Sequence, residues 1–187
     1  MKNILSLGVA LICLVAPWGY PFEPRHLTLI AALTIGVPGF FLAMEPNYAR
    51  VQGSFLPTVI RNALPGGLTN VLVVVLTQLM MEHFAFPQQD IATVCTAVLA
   101  VVGLLVLFKV CVPFGWFRGV VWGSMAVALV GSFLLPPVSA YFGLAITDSR
   151  SLMVIAAAAM TAVTVFVVLV WVFSLCDRLK NAKKAKK

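Results

Sequence analysis

The sequence predicts an all-α protein that crosses a membrane several times as a polytopic helix bundle. Of its 187 residues, 61% are hydrophobic and the mean hydropathy is +1.04, whereas soluble domains are about 45–50% apolar. Charged residues make up only 10% of the chain, and they fall almost entirely between the apolar runs. Long apolar runs separated by short charged segments are typical of membrane-spanning helices.

Six apolar segments can be drawn, and each is a predicted transmembrane helix. The first has an apolar run of 13 residues, 4–16, which is short for the roughly 20 residues that cross a bilayer. It resembles a signal peptide but has no clear cleavage site, so we predict an uncleaved first span. The six segments are 4–18, 27–44, 65–81, 91–112, 116–135 and 152–175.

The second segment carries residues that break helices, in the run LTLIAALTIGVPGFFLAMEPN over 27–47. Pro38 has no N–H for the carbonyl of Thr34, and its ring crowds that carbonyl, so we predict that this helix is broken at Pro38. Gly36 and Gly39 allow the backbone to open there. Carbonyls freed in a bilayer need protein, water or an ion, and broken helices mark ion sites in transporters. A proline-kinked packing helix is the alternative interpretation.

Polar side chains in the third segment are further candidates for an ion pathway. Asn70 is the deepest amide of this segment, and we keep it as a candidate ligand. Thr77 and Gln78 are better explained by hydrogen bonds between helices. Small residues recur every four positions in the fifth segment, from Gly119 and Gly123 to Ser132, and predict a face on which helices pack closely.

Positive charge is distributed unevenly between alternate loops. With the N-terminus inside, eleven of the 13 Lys and Arg residues are cytoplasmic, and only Arg25 and Arg150 lie outside. This bias predicts two cytoplasmic termini and a multi-pass protein of the plasma (inner) membrane. We predict a membrane domain over 1–176 and a basic cytoplasmic tail over 177–187. The tail favours anionic lipid of the bilayer as its partner and not nucleic acid, because no soluble fold presents its lysines.

Other reactive side chains are not arranged as a catalytic or metal site. His26 and His83 fall in predicted external loops, where most histidines are solvated, and Asp90 falls just outside the fourth segment. Glu45, at the cytoplasmic end of the broken helix, could be an entry carboxylate or a solvated acid. The four cysteines occur singly, so we interpret them as inert thiols. No catalytic residue and no metal site are predicted.

The stretch from Thr34 to Asn47, TIGVPGFFLAMEPN, and the preceding YPFEPRHLTL at 20–29 resemble the sixth membrane helix and preceding external loop of bacterial cation-transporting P-type ATPases. The other segments fall where helices five and seven to ten of such a pump would lie. The resemblance therefore implies the C-terminal membrane part of the family, a cation pathway at the broken helix and bracing by the later helices. Calcium and sodium members place an asparagine and an aspartate where this chain has Ala31 and Ile35, so the ion is not implied.

The resemblance also implies what an intact pump would add. Family members share an Asp-Lys-Thr-Gly phosphorylation motif, a nucleotide-binding domain and an actuator domain, which this sequence does not contain. We therefore do not expect the chain to hydrolyse ATP alone, and no cofactor is expected in it. The intact pump would use ATP and magnesium, and the chain's partner would be the missing N-terminal part of a truncated or split pump. A free-standing small transporter or channel and a structural membrane subunit are the alternatives.

The sequence thus yields a short set of candidate residues for the passage of an inorganic cation. The cation-pathway candidates are Thr34, Gly36, Pro38 and Asn70, and Glu45 is the cytoplasmic entry candidate. Thr34 offers a hydroxyl oxygen and a freed carbonyl, and hard cations bind such oxygens.

Overall fold

The structure is a computed structural model that describes residues 7–8, 10–11, 22–45, 55–113, 115–144 and 149–184. Within these ranges every regular element is a helix. The helices, in chain order, are α1 (Pro24–Ala31), a π-helical segment (Ala32–Gly36), α2 (Val37–Ala43), α3 (Phe55–His83), α4 (Gln88–Cys111), α5 (Trp116–Leu134), α6 (Pro136–Phe142) and α7 (Ser149–Lys184). The all-α class is confirmed for the described part of the chain.

Five helical stretches in the described residues are long and apolar enough to cross a membrane. They are Pro24–Ala43, Ala63–His83, Gln88–Cys111, Trp116–Leu134 and Arg150–Leu175. They match the second to sixth predicted segments to within a few residues. The first predicted span, 4–18, lies largely outside the described residues. This span, the total of six spans and the orientation of the termini therefore stay predictions.

Helix α4 is the centre of the bundle. It packs against α3, α5 and α7, and also against α1 and the π-helical segment. Its valines join a core formed with α3 and α7, in which Val98, Val102 and Val74 are almost completely buried. Branched side chains suit this position because they lose little rotamer freedom when they pack between helices. Helix α4 therefore holds the elements that carry Thr34 and Asn70, whereas α2, which carries Pro38, packs on α5.

The mean hydropathy of a span does not indicate how much of that span is buried in the bundle. The α4 span has a mean hydropathy of 2.8 and 61% of it is buried, whereas the α7 span has 2.7 and only 17% is buried. Lipid tails and protein cores are equally apolar, so both environments select the same residues. The outward faces of α5 and α7 consequently have the composition of a surface in contact with a lipid bilayer.

Helix α5 packs through larger residues than its sequence predicts. Val121, Met125 and Leu129 face the bundle, whereas a Cβ added at Gly123 would have no atom within 4 Å. The indole N–H of Trp122 donates to the carbonyl of Leu104 on α4 at 3.1 Å. Apart from the buried Ser132, the predicted small-residue face is not the face that packs against the described part of the bundle.

Candidate cation pathway

The second span is interrupted, but not in the form that the sequence predicts. The backbone takes a π-helical turn over Ala32–Gly36, in which the N–H of Val37 donates to the carbonyl of Ala32. It returns to α-helical geometry at Val37, and Pro38 occupies the first turn of α2, where a missing N–H is tolerated. The break therefore precedes Pro38 instead of falling at it. Single π-helical turns within α-helices occur frequently at functional sites.

Thr34 lies in the π-helical segment and contacts the backbone of α4. Its hydroxyl donates to the carbonyl of Ile30 at 2.7 Å. A Cβ added at Gly103 would lie 2.7 Å from Thr34 Cγ2 and 3.2 Å from its Oγ1, which is closer than side chains pack. The absence of a side chain at Gly103 thus lets the π-helical segment rest on α4. The sequence analysis did not single out Gly103.

The candidate residues of the broken helix divide between two faces. Pro38 is buried and Thr34 is half-buried, so both lie on the face toward the bundle. Gly36 is exposed, and the neighbouring Ile35 is 53% exposed. The structure therefore brings Thr34 and Pro38 to one face and leaves Gly36 on the opposite one.

Asn70 lies on α3, and its side chain is only 4% exposed. Among the residues that the structure describes, the oxygen Oδ1 of this buried amide has no hydrogen-bond partner. Helix α3 packs on α4 and α7, whereas the π-helical segment packs on α4 and α5. Asn70 and Thr34 are thus carried by elements that share α4 as a neighbour.

Thr77 and Gln78, for which hydrogen bonds between helices were predicted, each form a hydrogen bond within α3. The Thr77 hydroxyl donates to the carbonyl of Val73 at 2.7 Å, within the same helix. The amide of Gln78 donates to Glu82 at 3.3 Å, one turn further along α3. Threonines in apolar helices bond in this way because their hydroxyl reaches the carbonyl four residues earlier.

Glu45 is not a fully solvated acid at the end of the helix, because it forms an ion pair with Arg118. Arg118 Nε lies 2.7 Å from Glu45 Oε2, and the two side chains are 23% and 31% exposed, respectively. Arg118 also donates to the carbonyl of Pro113 at 3.4 Å. The pair joins the end of the broken helix to the start of α5.

We expect the loss of the Glu45–Arg118 pair to lower the free energy of unfolding by about 1 kcal/mol, the upper range for ion pairs near a surface. The variants are Glu45→Gln, Arg118→Gln and the double variant, measured by equilibrium unfolding in detergent micelles. The more exposed pair of Glu23 and Arg25 is the matched control and should show less coupling. Additive effects of the two substitutions at Glu45 and Arg118 would contradict the prediction.

A buried acidic residue lies where the sequence predicted an external loop. Asp90 falls in the first turn of α4 and is fully buried. The hydroxyl of Ser151 on α7, also fully buried, donates to Asp90 Oδ2 at 2.8 Å. The fourth spanning helix therefore begins three residues before the predicted segment and includes Asp90. The bond ties α4 to α7 through a group that is costly to bury alone.

His26 is also wrongly predicted to be solvated. It lies in the first turn of α1 and is only 1% exposed, with Nδ1 accepting a hydrogen bond from the N–H of Glu23 at 3.4 Å. The adjacent Arg25 bonds to the Glu23 carboxylate and donates to the carbonyl of Tyr141 at 3.4 Å. The start of α1 is thereby fastened to the end of α6.

Arg25 should control the titration of Glu23. The hydrogen bond and charge of Arg25 hold the pKa of Glu23 below its ordinary value of 4.5. Because the folded-state pKa is depressed, this contact stabilises the fold above the ordinary carboxyl range, and its contribution is lost as pH falls through the lowered pKa. Carbon NMR of the Glu23 carboxyl should show a low midpoint that rises in Arg25→Gln. An unchanged midpoint in that variant would contradict the assignment.

Five span-length apolar helical stretches, four of them packed around α4 and with apolar outer faces, define a multi-pass α-helical membrane protein. No family model matches the chain, and no solved structure matches it. Several curated proteins are similar to the chain in sequence.

The chain is 31% identical over 143 residues to the calcium-transporting ATPase CtpE of Mycobacterium tuberculosis, a match that covers 71% of the chain and 18% of that protein. It is 29% identical over 160 residues to the protein of the same name from Mycolicibacterium smegmatis, with 83% and 20% covered. It is 30% identical over 142 residues to the probable cation-transporting ATPase exp7 of Streptococcus pneumoniae, with 69% and 18% covered.

The chain is therefore a homologue of cation-transporting P-type ATPases, and the resemblance drawn from its motifs is confirmed. It spans about a fifth of the length of the curated relatives it matches.

Proposed function

We propose that this chain forms the C-terminal membrane part of an ATP-driven cation pump, in which its spans correspond to helices five to ten. The observation that carries the proposal is the π-helical segment directly before Pro38, in a chain homologous to cation-transporting ATPases. Pro38 has no N–H, so one carbonyl of the preceding turn lacks its helical hydrogen bond. This is the carbonyl of Leu33 if the π-helical pattern continues, or that of Thr34 in the α-helical pattern. An unpaired carbonyl within a membrane span suits a cation pathway.

Neutral oxygen atoms would coordinate the cation in this proposal. The freed carbonyl and the Thr34 hydroxyl supply oxygens on one side of α4, and the unpartnered Oδ1 of Asn70 supplies one from α3. Pro38 and Gly36 would act by shaping the backbone. Since relatives are named calcium-transporting ATPases, Ca²⁺, which binds carbonyl and amide oxygens, is the first cation to test.

Glu45 would be the residue that a cation meets at the cytoplasmic end. Its carboxylate is held by Arg118, so the pair must open before Glu45 can bind an ion. The proposed orientation has both termini in the cytoplasm and the chain in the inner membrane. ATP and magnesium would act in soluble domains that are joined to this chain or associated with it.

A chimera tests the proposal. The aligned segment of the Mycolicibacterium smegmatis relative is replaced by this chain, and ATP-dependent uptake of radioactive calcium is measured in inside-out membrane vesicles. The relative with its own segment and the relative without any such segment are the two controls. We expect uptake well above that of the deletion. A chimera that is inserted and folded, but transports neither calcium nor any other tested cation, would overturn the proposal.

Asn70→Leu separates a role in transport from a role in folding. Removing the unpaired buried oxygen should raise the free energy of unfolding by about 1 kcal/mol. In the chimera it should also lower the apparent affinity for the cation by about tenfold, which corresponds to roughly 1.4 kcal/mol of binding free energy. Gln78→Leu is the matched control, because Gln78 is an equally buried amide on α3 that is hydrogen-bonded to Glu82.

Only Asn70→Leu should raise the free energy of unfolding while it lowers the apparent affinity for the cation. Gln78→Leu should leave the apparent cation affinity unchanged. If Asn70→Leu preserves the cation affinity, Asn70 is not in the pathway. If Gln78→Leu lowers it equally, the effect reports general disturbance of α3.

A further inference from the structure

An apolar groove runs along α4 between α5 and α7, and we call it the α4 groove. Its floor is formed by two small, buried residues of α4, Ala97 and Ala100. Its walls are larger side chains that include Phe133 of α5 and Ile155 of α7. Because α5 and α7 both pack on α4, the small floor residues leave a cavity of about 470 Å³ between the two walls.

The lining of the groove selects an apolar ligand. Among the described residues that line it, Thr93 is the one with a polar side chain, and its hydroxyl donates to the carbonyl of Gln89 at 3.0 Å. The remaining lining side chains are aliphatic or aromatic. A polar ligand would lose its hydration there without regaining hydrogen bonds, at a cost of several kcal/mol.

The groove opens toward the hydrocarbon of the membrane. Its outer rim includes Val130, Leu134 and Leu152, which are 56%, 74% and 61% exposed. All three lie within helical stretches long enough to span a bilayer. In a membrane, the molecules that meet this opening are the acyl chains of lipids.

The size of the groove excludes a helix as its occupant. A helix with side chains is about 10–12 Å across, so even a 10 Å length of one occupies on the order of 1,000 Å³. The groove offers about 470 Å³, which lies within the range of small-ligand pockets of about 300–1,000 Å³. A single hydrocarbon chain is narrow enough to fit between the walls.

We propose that the α4 groove holds one acyl chain of a membrane phospholipid. The chain fills the space over Ala97 and Ala100 and contacts α4, α5 and α7 together, so the bound lipid acts as a brace between these helices. The inference depends on the multi-pass membrane fold alone. It stands or falls independently of the proposed cation pathway.

A groove-filling variant tests the site. The protein and the variants Ala100→Phe and Val127→Phe are purified from membranes in a mild detergent, and retained phospholipid is counted by native mass spectrometry. Ala100→Phe fills the floor, whereas Val127 is 73% exposed on α5 outside the groove. We expect the parent and Val127→Phe to retain one phospholipid. We expect the occupancy by phospholipid to fall about tenfold or more in Ala100→Phe, because the added ring fills the space of the acyl chain. Equal retention in all three proteins, or none in the parent, would overturn the proposal.

A second measurement keeps the test decisive if Ala100→Phe does not fold. Phe133→Trp places an indole on the wall of the groove, and Val127→Trp places one on the lipid-facing surface. A phospholipid brominated on its acyl chain should quench the added fluorescence of Trp at position 133 at far lower lipid content than at position 127. Equal quenching at both positions would overturn the proposal. Quenching at position 133 by a brominated free fatty acid, with none by the phospholipid, would also overturn it.

Discussion

Gly103→Val is expected to lower the free energy of unfolding by about 3 kcal/mol, the upper end of the cost of overpacking a core. The cost is large because the first added carbon would already lie 2.7 Å from Thr34 Cγ2, and both residues are fixed in helical backbone. Equilibrium unfolding in detergent micelles measures the effect. The π-helical segment should move away from α4, so the variant should also impair uptake in the chimera.

Gly123→Val is the matched control for this substitution. Gly123 lies within the neighbouring spanning helix α5, where an added Cβ meets nothing within 4 Å. The two variants share the change in intrinsic helix propensity, so their difference isolates the collision with Thr34. If Gly123→Val costs as much as Gly103→Val, the close approach of α4 and the π-helical segment is not the cause.

The collision can also be relieved from the other side. Thr34→Ser removes Cγ2, the atom nearest to the added carbon, and keeps the hydroxyl that donates to Ile30. Gly103→Ala should therefore be less destabilising in a Thr34→Ser background than in the parent. Equal costs in both backgrounds would contradict the contact.

Asp90→Ala is expected to lower the free energy of unfolding by about 3 kcal/mol, the upper end of the range for a hydrogen bond to a charged group. The substitution leaves the buried hydroxyl of Ser151 without its acceptor and removes an acidic group from the first turn of α4, where the helix dipole favours it. Equilibrium unfolding in detergent micelles is again the measurement.

Two further variants identify the source of that effect. Asp90→Asn keeps an oxygen that can accept from Ser151, so it should cost clearly less than Asp90→Ala. The double variant with Ser151→Ala should cost less than the sum of the single variants, because replacing both partners of a hydrogen bond leaves neither unsatisfied. Strict additivity would show that Asp90 and Ser151 do not stabilise the fold through their bond.

The spans could be predicted because each is long and continuous, so its hydropathy rises above that of its neighbours. The position of the break was predicted to within one turn. Pro38 has no N–H, so it cannot donate the regular helical hydrogen bond in any packing environment. The form of the break could not be predicted. Whether the backbone kinks, unwinds or inserts a π-helical turn depends on what Thr34 rests against, and Gly103 is far away in sequence.

The errors at His26 and Asp90 have a shared local cause. Both residues lie in polar first turns that precede the apolar part of a helix, so a boundary drawn from hydropathy begins too late. At His26 a usable signal was present, because Pro24 is favoured at the first position of a helix. At Asp90 the decisive partner, Ser151, lies 61 residues further along the chain, and no local pattern indicates it.

The small-residue face of α5 was wrongly predicted for a related reason. Spacing shows that Gly123 would permit another helix to come close, but it does not show that one does. In this chain the larger Met125 and Leu129 face the bundle. Which face packs is decided by the other helices, and so it is a property of the assembled bundle.

The bond between Asp90 and Ser151 has a consequence for biosynthesis. Ser151 is made 61 residues after Asp90, which at about 5–20 residues per second is a delay of roughly 3–12 seconds. During that interval α4 enters the membrane before Ser151, which donates a hydrogen bond to the Asp90 carboxylate, has been synthesised. Because Asp90 lies at the end of α4 and not near its middle, the carboxylate can remain at the water interface until α7 arrives. Insertion of α4 and burial of Asp90 are therefore separate events in the ribosome-bound chain.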